Sequence, residues 1–154
     1  MKTGEVDFLF PVLGFTPDLD IWSFPDRNTL TSCGPKTLKD SMQSGMELVD
    51  AAGRRWVVRS VRRTGRAEPL MLWLVSHLIS TPQSRIEQEL EPSEPLSLSE
   101  AKDRVCASLR AYPDYYGAED ENDPALEELI AEVRSANSFG EIPDLLGLDS
   151  FMAY

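Results

Sequence analysis

The sequence predicts an α+β chain. An N-terminal antiparallel β meander or small bent barrel, with irregular segments, carries acidic C-terminal helices packed on it. Strand-like apolar stretches dominate residues 46–91, and a helical period takes over after Pro92 and Pro95. Start signals for longer helices follow in the second part, at Ser97-Leu-Ser-Glu100 and Asp123-Pro124. Charge divides at the same place. Residues 1–90 hold 11 basic and 11 acidic side chains, and residues 91–154 hold 4 and 15, so the net charge of −11 arises wholly in the second part. At 154 residues and 42% hydrophobic, the chain suits one domain with a real core, mostly β over 1–91 and helical over 96–154.

Residues 6–15, VDFLFPVLGF, form an apolar run broken by Pro11, which predicts an edge strand or two short pieces because proline cannot donate to a ladder. The stretch from Thr16 to Thr37 is rich in turn formers and reads as irregular, anchored by Trp22 and Phe24. Pro35 opens a short helical turn that Gly45 closes. Met46 to Asp50 and Arg55 to Arg63 then read as two strands about a tight turn, with Gly53 supplying a positive φ. Trp56 and Val58 share a face and Val61 does not, which predicts either a bulge near Arg59–Ser60 or a strand buried on both sides. Pro69 to Ile79 reads as a central strand. In residues 85–91, Ile86, Gln88 and Leu90 alternate with Glu87, Glu89 and Glu91, giving a strand with one carboxylate face.

Helix follows from the Ser97 capping box to about Ala111, with Leu98, Ala101, Val105, Leu109 and Tyr112 as its buried stripe and Pro113 as its stop. A second helix spans 124–136, its apolar face made of Leu126, Leu129, Ile130 and Val133. Ser138-Phe-Gly-Glu141 predicts another capping box and a short helix closed by Gly147. The apolar ending through Leu148, Phe151 and Met152 is expected to dock on the body.

Composition excludes several functional classes. No apolar run reaches the roughly 18–20 residues of a membrane span, and the N-terminus reads as a first strand rather than a signal peptide. Cys33 and Cys106 lie far apart outside any C-x-x-C pair, and are expected to be free thiols in a reducing cytoplasm. His77 is the one histidine, which argues against a zinc site; no metal or cofactor is expected. The chain lacks a G-x-S-x-G elbow, a phosphate-cradling glycine loop and a dinucleotide fingerprint, so no catalytic residue is assigned. A small hydrolase is kept as an alternative, conditional on the fold bringing Cys33 or Cys106 to His77.

Two clusters remain. Arg54, Arg55, Arg59, Arg62, Arg63 and Arg66 crowd the hairpin 54–66. They suit either a nucleic-acid-associated protein, with Trp56 for stacking, or internal pairing with the glutamates of strand 85–91 or with the acidic helices. The strongly acidic chain favours internal pairing. The second cluster is the segment AYPDYYGAEDENDPALEE, residues 111–128. Here Tyr112, Tyr115 and Tyr116 meet Asp114, Glu119, Asp120, Glu121, Asp123, Glu127 and Glu128 with no Lys or Arg between. Asp123 and the glutamates after it suit a helix start. The run Glu119 to Glu121 has no such duty, and tyrosines beside carboxylates are the chemistry of an interface that desolvates rings and steers charge. These ten residues form the candidate surface for a basic protein partner.

In small size, cytosolic character, the segment YPDYYGAEDEND and the hairpin GMELVDAAGRRW followed by short capped helices, the chain resembles the immunity proteins of bacterial polymorphic and contact-dependent toxin systems. The resemblance is one of layout and carries over no residue role. It implies a stoichiometric inhibitor that covers a basic toxin, such as a nuclease, with carboxylates, and no enzymatic activity.

Overall fold

The computed structural model describes residues 1–66, Met71 and 83–148. The strand expected over 69–79 and the docking of Phe151 and Met152 lie outside the described residues. The fold is α+β: six antiparallel strands curl into a half-barrel, and the longer helices follow in the C-terminal part. The strands are β1 (Val12–Phe15), β2 (Ile21–Phe24), β3 (Ser32–Cys33), β4 (Glu47–Val49), β5 (Arg55–Arg66) and β6 (Ser84–Ser93). Their order across the sheet is β2-β1-β4-β5-β6-β3. Helices α1 (Arg27–Leu30) and α2 (Pro35–Lys39) are short, whereas α3 (Leu98–Ala111), α4 (Pro124–Ser135) and α5 (Glu141–Leu146) form the helical portion.

The first strand is interior, not an edge. Pro11 sits just before β1, so the strand keeps its donors and pairs with β2 on one side and β4 on the other. The segment read as irregular supplies β2, α1 and β3. Its strands escaped pattern reading because β2 is buried on both faces and shows no polar alternation.

Both faces of the sheet are covered. Leu13, Phe15, Ile21 and Val49 point to the helices, where they pack with Ala101, Val105, Leu109, Leu126, Ile130, Val133 and Ile142. On the other face, Val12, Trp22, Phe24, Leu48, Trp56, Val58 and Leu90 enclose a second cluster with Val6, Phe8 and Met46. The expected bulge exists: pairing of β5 with β6 slips between Val58 and Ser60, and again between Arg63 and Gly65. Each slip adds twist and helps the sheet curl. Ile86, Gln88 and Leu90 are buried, as their alternation predicts. Gln88 is tolerated there because its amide donates to Leu30 O and Gln43 Oε1 and its side-chain oxygen accepts from Thr3 Oγ1.

The capping box at Ser97 forms: Ser97 Oγ accepts from Glu100 N at 3.1 Å, and Glu100 Oε2 accepts from Ser97 N at 2.9 Å. The box expected at Ser138 does not form. Gly140 is the N-cap of α5, and Glu141 Oε2 accepts instead from Asn137 N at 2.9 Å.

Gly53 ties the β4–β5 turn to the start of the helical portion. Its φ is +81°, a Cβ there would lie 2.6 Å from Leu96 O, and its own carbonyl accepts from Leu96 N at 2.8 Å. Gly53→Ala therefore meets left-handed strain and an immovable backbone oxygen together. The expected loss is about 2–3 kcal/mol, read as a lower urea midpoint at unchanged slope.

Candidate partner-binding surface

The surface begins where α3 stops. Pro113 disfavours helical backbone at the preceding residue, and Tyr112 leaves the helix at φ −132°, ψ 59°. Tyr112 was expected on the buried stripe, but this exit turns it outward. Its hydroxyl donates to Asp18 O, in the turn between β1 and β2. Pro113–Tyr116 then form one 3-10 turn, closed by Gly117 at φ 81°.

The three tyrosines divide. Tyr112 and Tyr115 are 38% and 50% exposed. Tyr116 turns inward, packs against the helix-side core, and shares a hydrogen bond with Ser108 Oγ at 3.2 Å. Burial pushes its phenol up to about 12. The Tyr115 and Tyr116 rings meet edge to face, with centroids 5.1 Å apart. Tyr116 is thus a support beneath Tyr115, and the exposed rings are Tyr112 and Tyr115.

The carboxylates divide as well. Asp123 caps α4: one oxygen accepts from Ala125 N at 2.9 Å, and the other accepts from Glu119 N at 2.7 Å. It therefore fixes the acidic loop as well as the helix start. Asp120 accepts from Asn122 N at 2.8 Å, and Glu127 pairs with Arg110 at 3.2 Å. Asp114, Glu119, Glu121 and Glu128 are exposed, and among the described residues their side chains have no partner.

The two amides that Asp123 accepts from hold its carboxyl below the free value of 3.8. A carboxyl lowered by folding stabilises above its free value and is lost as pH falls through the folded one. On acidification below pH 3.8 the Glu119 and Ala125 amide resonances are expected to shift with one midpoint. Asp123→Asn, which still caps, is expected to abolish that common titration.

Tyr112 and Tyr115 also line a groove of about 600 Å³, whose far wall is built by the β1–β2 turn and the α2–β4 connection. Asp18, Asp20 and Asp40 lie along it, with Trp22 at its base. Sequence reasoning missed these aspartates. Each stands alone among turn residues, and only the fold brings them to the tyrosines.

Five of the six hairpin arginines bond within the chain, and Arg66 is exposed. Arg54 pairs with Asp50 at 2.7 Å, Arg55 with Glu47 at 2.9 Å, Arg59 with Glu91 at 2.6 Å and Arg62 with Glu87 at 2.7 Å. Arg63 Nε donates to Ser84 Oγ at 3.1 Å. Arg62 and Arg59 hold the Glu87 and Glu91 carboxyls below the usual range. Trp56, the expected stacking platform, is buried against Phe8 with the Arg54 guanidinium over its ring.

Cys33 and Cys106 are free and buried; burial pushes the Cys33 thiol to about 11 and raises that of Cys106. His77 lies outside the described residues. Among the described residues no group of three or more His, Cys, Asp or Glu could hold a metal ion, and no helix is long and apolar enough to cross a membrane.

No family model, curated protein or solved structure matches the chain.

Proposed function

We propose that the chain is a non-catalytic protein-binding module, an immunity or inhibitor protein that neutralises a basic partner by covering its surface. A nuclease toxin is the kind of partner its charge suits. One contrast carries the reading. Arg54, Arg55, Arg59 and Arg62 spend their charge on carboxylates of their own sheet, while Asp114, Glu119, Glu121 and Glu128 stay exposed in the segment that also exposes the rings of Tyr112 and Tyr115. Exposed carboxylates of one sign raise encounter rates with a cationic protein, and exposed aromatic rings supply area that desolvates on docking.

The nucleic-acid alternative is less well supported, because internal pairing of four arginines reduces the charge the ribbon offers to phosphate. The thiol-hydrolase alternative is weakened by the burial and raised pKa of both cysteines. The first partner to test is the product of the gene next to this one. It is expected to form a one-to-one complex that weakens with salt and with Glu119→Lys/Glu121→Lys. No complex, or one indifferent to both, contradicts the reading.

A further inference from the structure

We infer that the groove between Tyr112, Tyr115 and the β1–β2 turn is a receptor for an arginine side chain of a basic protein segment. The inference rests on the protein-binding reading and shares Tyr112 and Tyr115 with it, but takes its carboxylates from Asp18, Asp20 and Asp40, since the acidic run 119–121 does not line the groove.

The lining combines three features. Asp18 and Asp40 are exposed carboxylates on different elements; Asp20 is half-buried, its Oδ1 accepting from Ile21 N and its Oδ2 from Trp22 Nε1. Three aromatic residues line it as well, Tyr112 and Tyr115, which are exposed, and Trp22, which is buried; Thr16, Pro17, Ser41, Met42 and Ser44 complete the lining. Among the described residues no Lys, Arg or His lines the groove. A planar guanidinium fits this chemistry, because it stacks on aromatic faces and pairs with carboxylates through two parallel N–H groups. A volume of about 600 Å³ exceeds one side chain, leaving room for flanking backbone. The walls are positioned from within. Trp22 Nε1 donates to Asp20 at 3.2 Å, Thr16 Oγ1 accepts from Asp20 N at 3.0 Å, and the Tyr112 hydroxyl ties the helical wall to Asp18 O.

The test titrates the isotope-labelled full chain with the peptide acetyl-Gly-Arg-Gly-Arg-Gly-amide and with its neutral citrulline counterpart. The arginine peptide is expected to shift the Trp22 indole N–H and the amides of Thr16, Asp18 and Ser41 saturably. The citrulline peptide is expected to leave them in place. Asp18→Asn/Asp40→Asn, at exposed positions, is expected to weaken binding about tenfold, and Tyr115→Ala to weaken it comparably. Glu119→Lys/Glu121→Lys should change it by less than about twofold. Equal shifts with citrulline, shifts that bypass the groove, or unchanged affinity in both groove variants overturn the inference. If the groove variants bind normally while Glu119→Lys/Glu121→Lys still weakens a protein partner, the groove assignment falls and the protein-binding reading stands.

Discussion

Asp50→Ala is expected to cost about 3 kcal/mol and to lower the thermal midpoint by about 6–12 °C for a chain of this size. Asp50 is fully buried at the end of β4. Its Oδ1 accepts from Ala52 N and Arg54 N, both at 3.0 Å, which shapes the turn into β5. Its Oδ2 accepts from Leu9 N at 3.3 Å and from Arg54 Nε at 2.9 Å, which ties the N-terminal segment and the arginine to the same carboxylate. Alanine leaves these backbone donors without a partner where water enters poorly. Arg54 is partly exposed and can rehydrate, which keeps the cost at the low end of a broken buried pair. Asp50→Asn retains one acceptor oxygen and is expected to lose roughly half as much. A midpoint change under about 2 °C for the alanine variant, equivalent to less than 1 kcal/mol, contradicts this role.

The consequence reaches the partner surface. The Asp50 turn presents Gly53 to Leu96, and Leu96 leads into the Ser97 cap of α3. At its other end α3 delivers Tyr112 to the groove. A weakened turn should therefore loosen the base of the helical portion as well as the sheet. The Gly53→Ala variant tests the same joint from its opposite side.

Local signals in the sequence were reliable where one short-range interaction decides the structure. The Ser97 box, the Asp123-Pro124 start, the Gly53 turn and the β5 bulge each depend on a few neighbouring residues, and each is present. Features set by distant packing were not legible. β2 has no polar face because both its sides are covered, so alternation could not mark it. Ser138 and Glu141 have the spacing of a capping box, yet the chain places the helix start at Gly140. Tyr112, counted both on the buried stripe and on the candidate surface, is exposed because Pro113 turns it out of the helix, whereas Tyr116, counted on the surface, is drawn in by core packing and the hydrogen bond it shares with Ser108.

The candidate surface was legible in the same graded way. The run 114–128 is conspicuous because its charges are contiguous, and the fold leaves Asp114, Glu119, Glu121 and Glu128 exposed. Asp18, Asp20 and Asp40 were invisible as a group. Their proximity to Tyr112 depends on how the β1–β2 turn and the α2–β4 connection meet the end of α3. Pairing of Arg59 and Arg62 was foreseeable from the glutamate alternation in β6, because cross-strand register sets Arg62 directly opposite Glu87, whereas Arg54 and Arg55 pair with Asp50 and Glu47 of the preceding strand and turn.

The second large effect is on association. Glu119 and Glu121 are exposed and carry no structural hydrogen bond through their side chains, whereas Asp120 and Asp123 do. Reversing the first two changes the field by four charges and leaves the loop clasp intact. Charges at a rim act on encounter more than on the docked state, over a range of about 8 Å at physiological salt. Glu119→Lys/Glu121→Lys is therefore expected to keep the thermal midpoint and lower the association rate about tenfold or more at low ionic strength. Dissociation should change less.

The decisive measurement is the association rate of a basic partner with the native chain and with Glu119→Lys/Glu121→Lys, from low ionic strength to about 0.5 M salt. The native rate is expected to fall steeply with salt, the variant rate to start lower and fall little, and the two to converge at high salt. Parallel curves, with equal rates at low salt, would contradict the assignment of this acidic surface to partner capture.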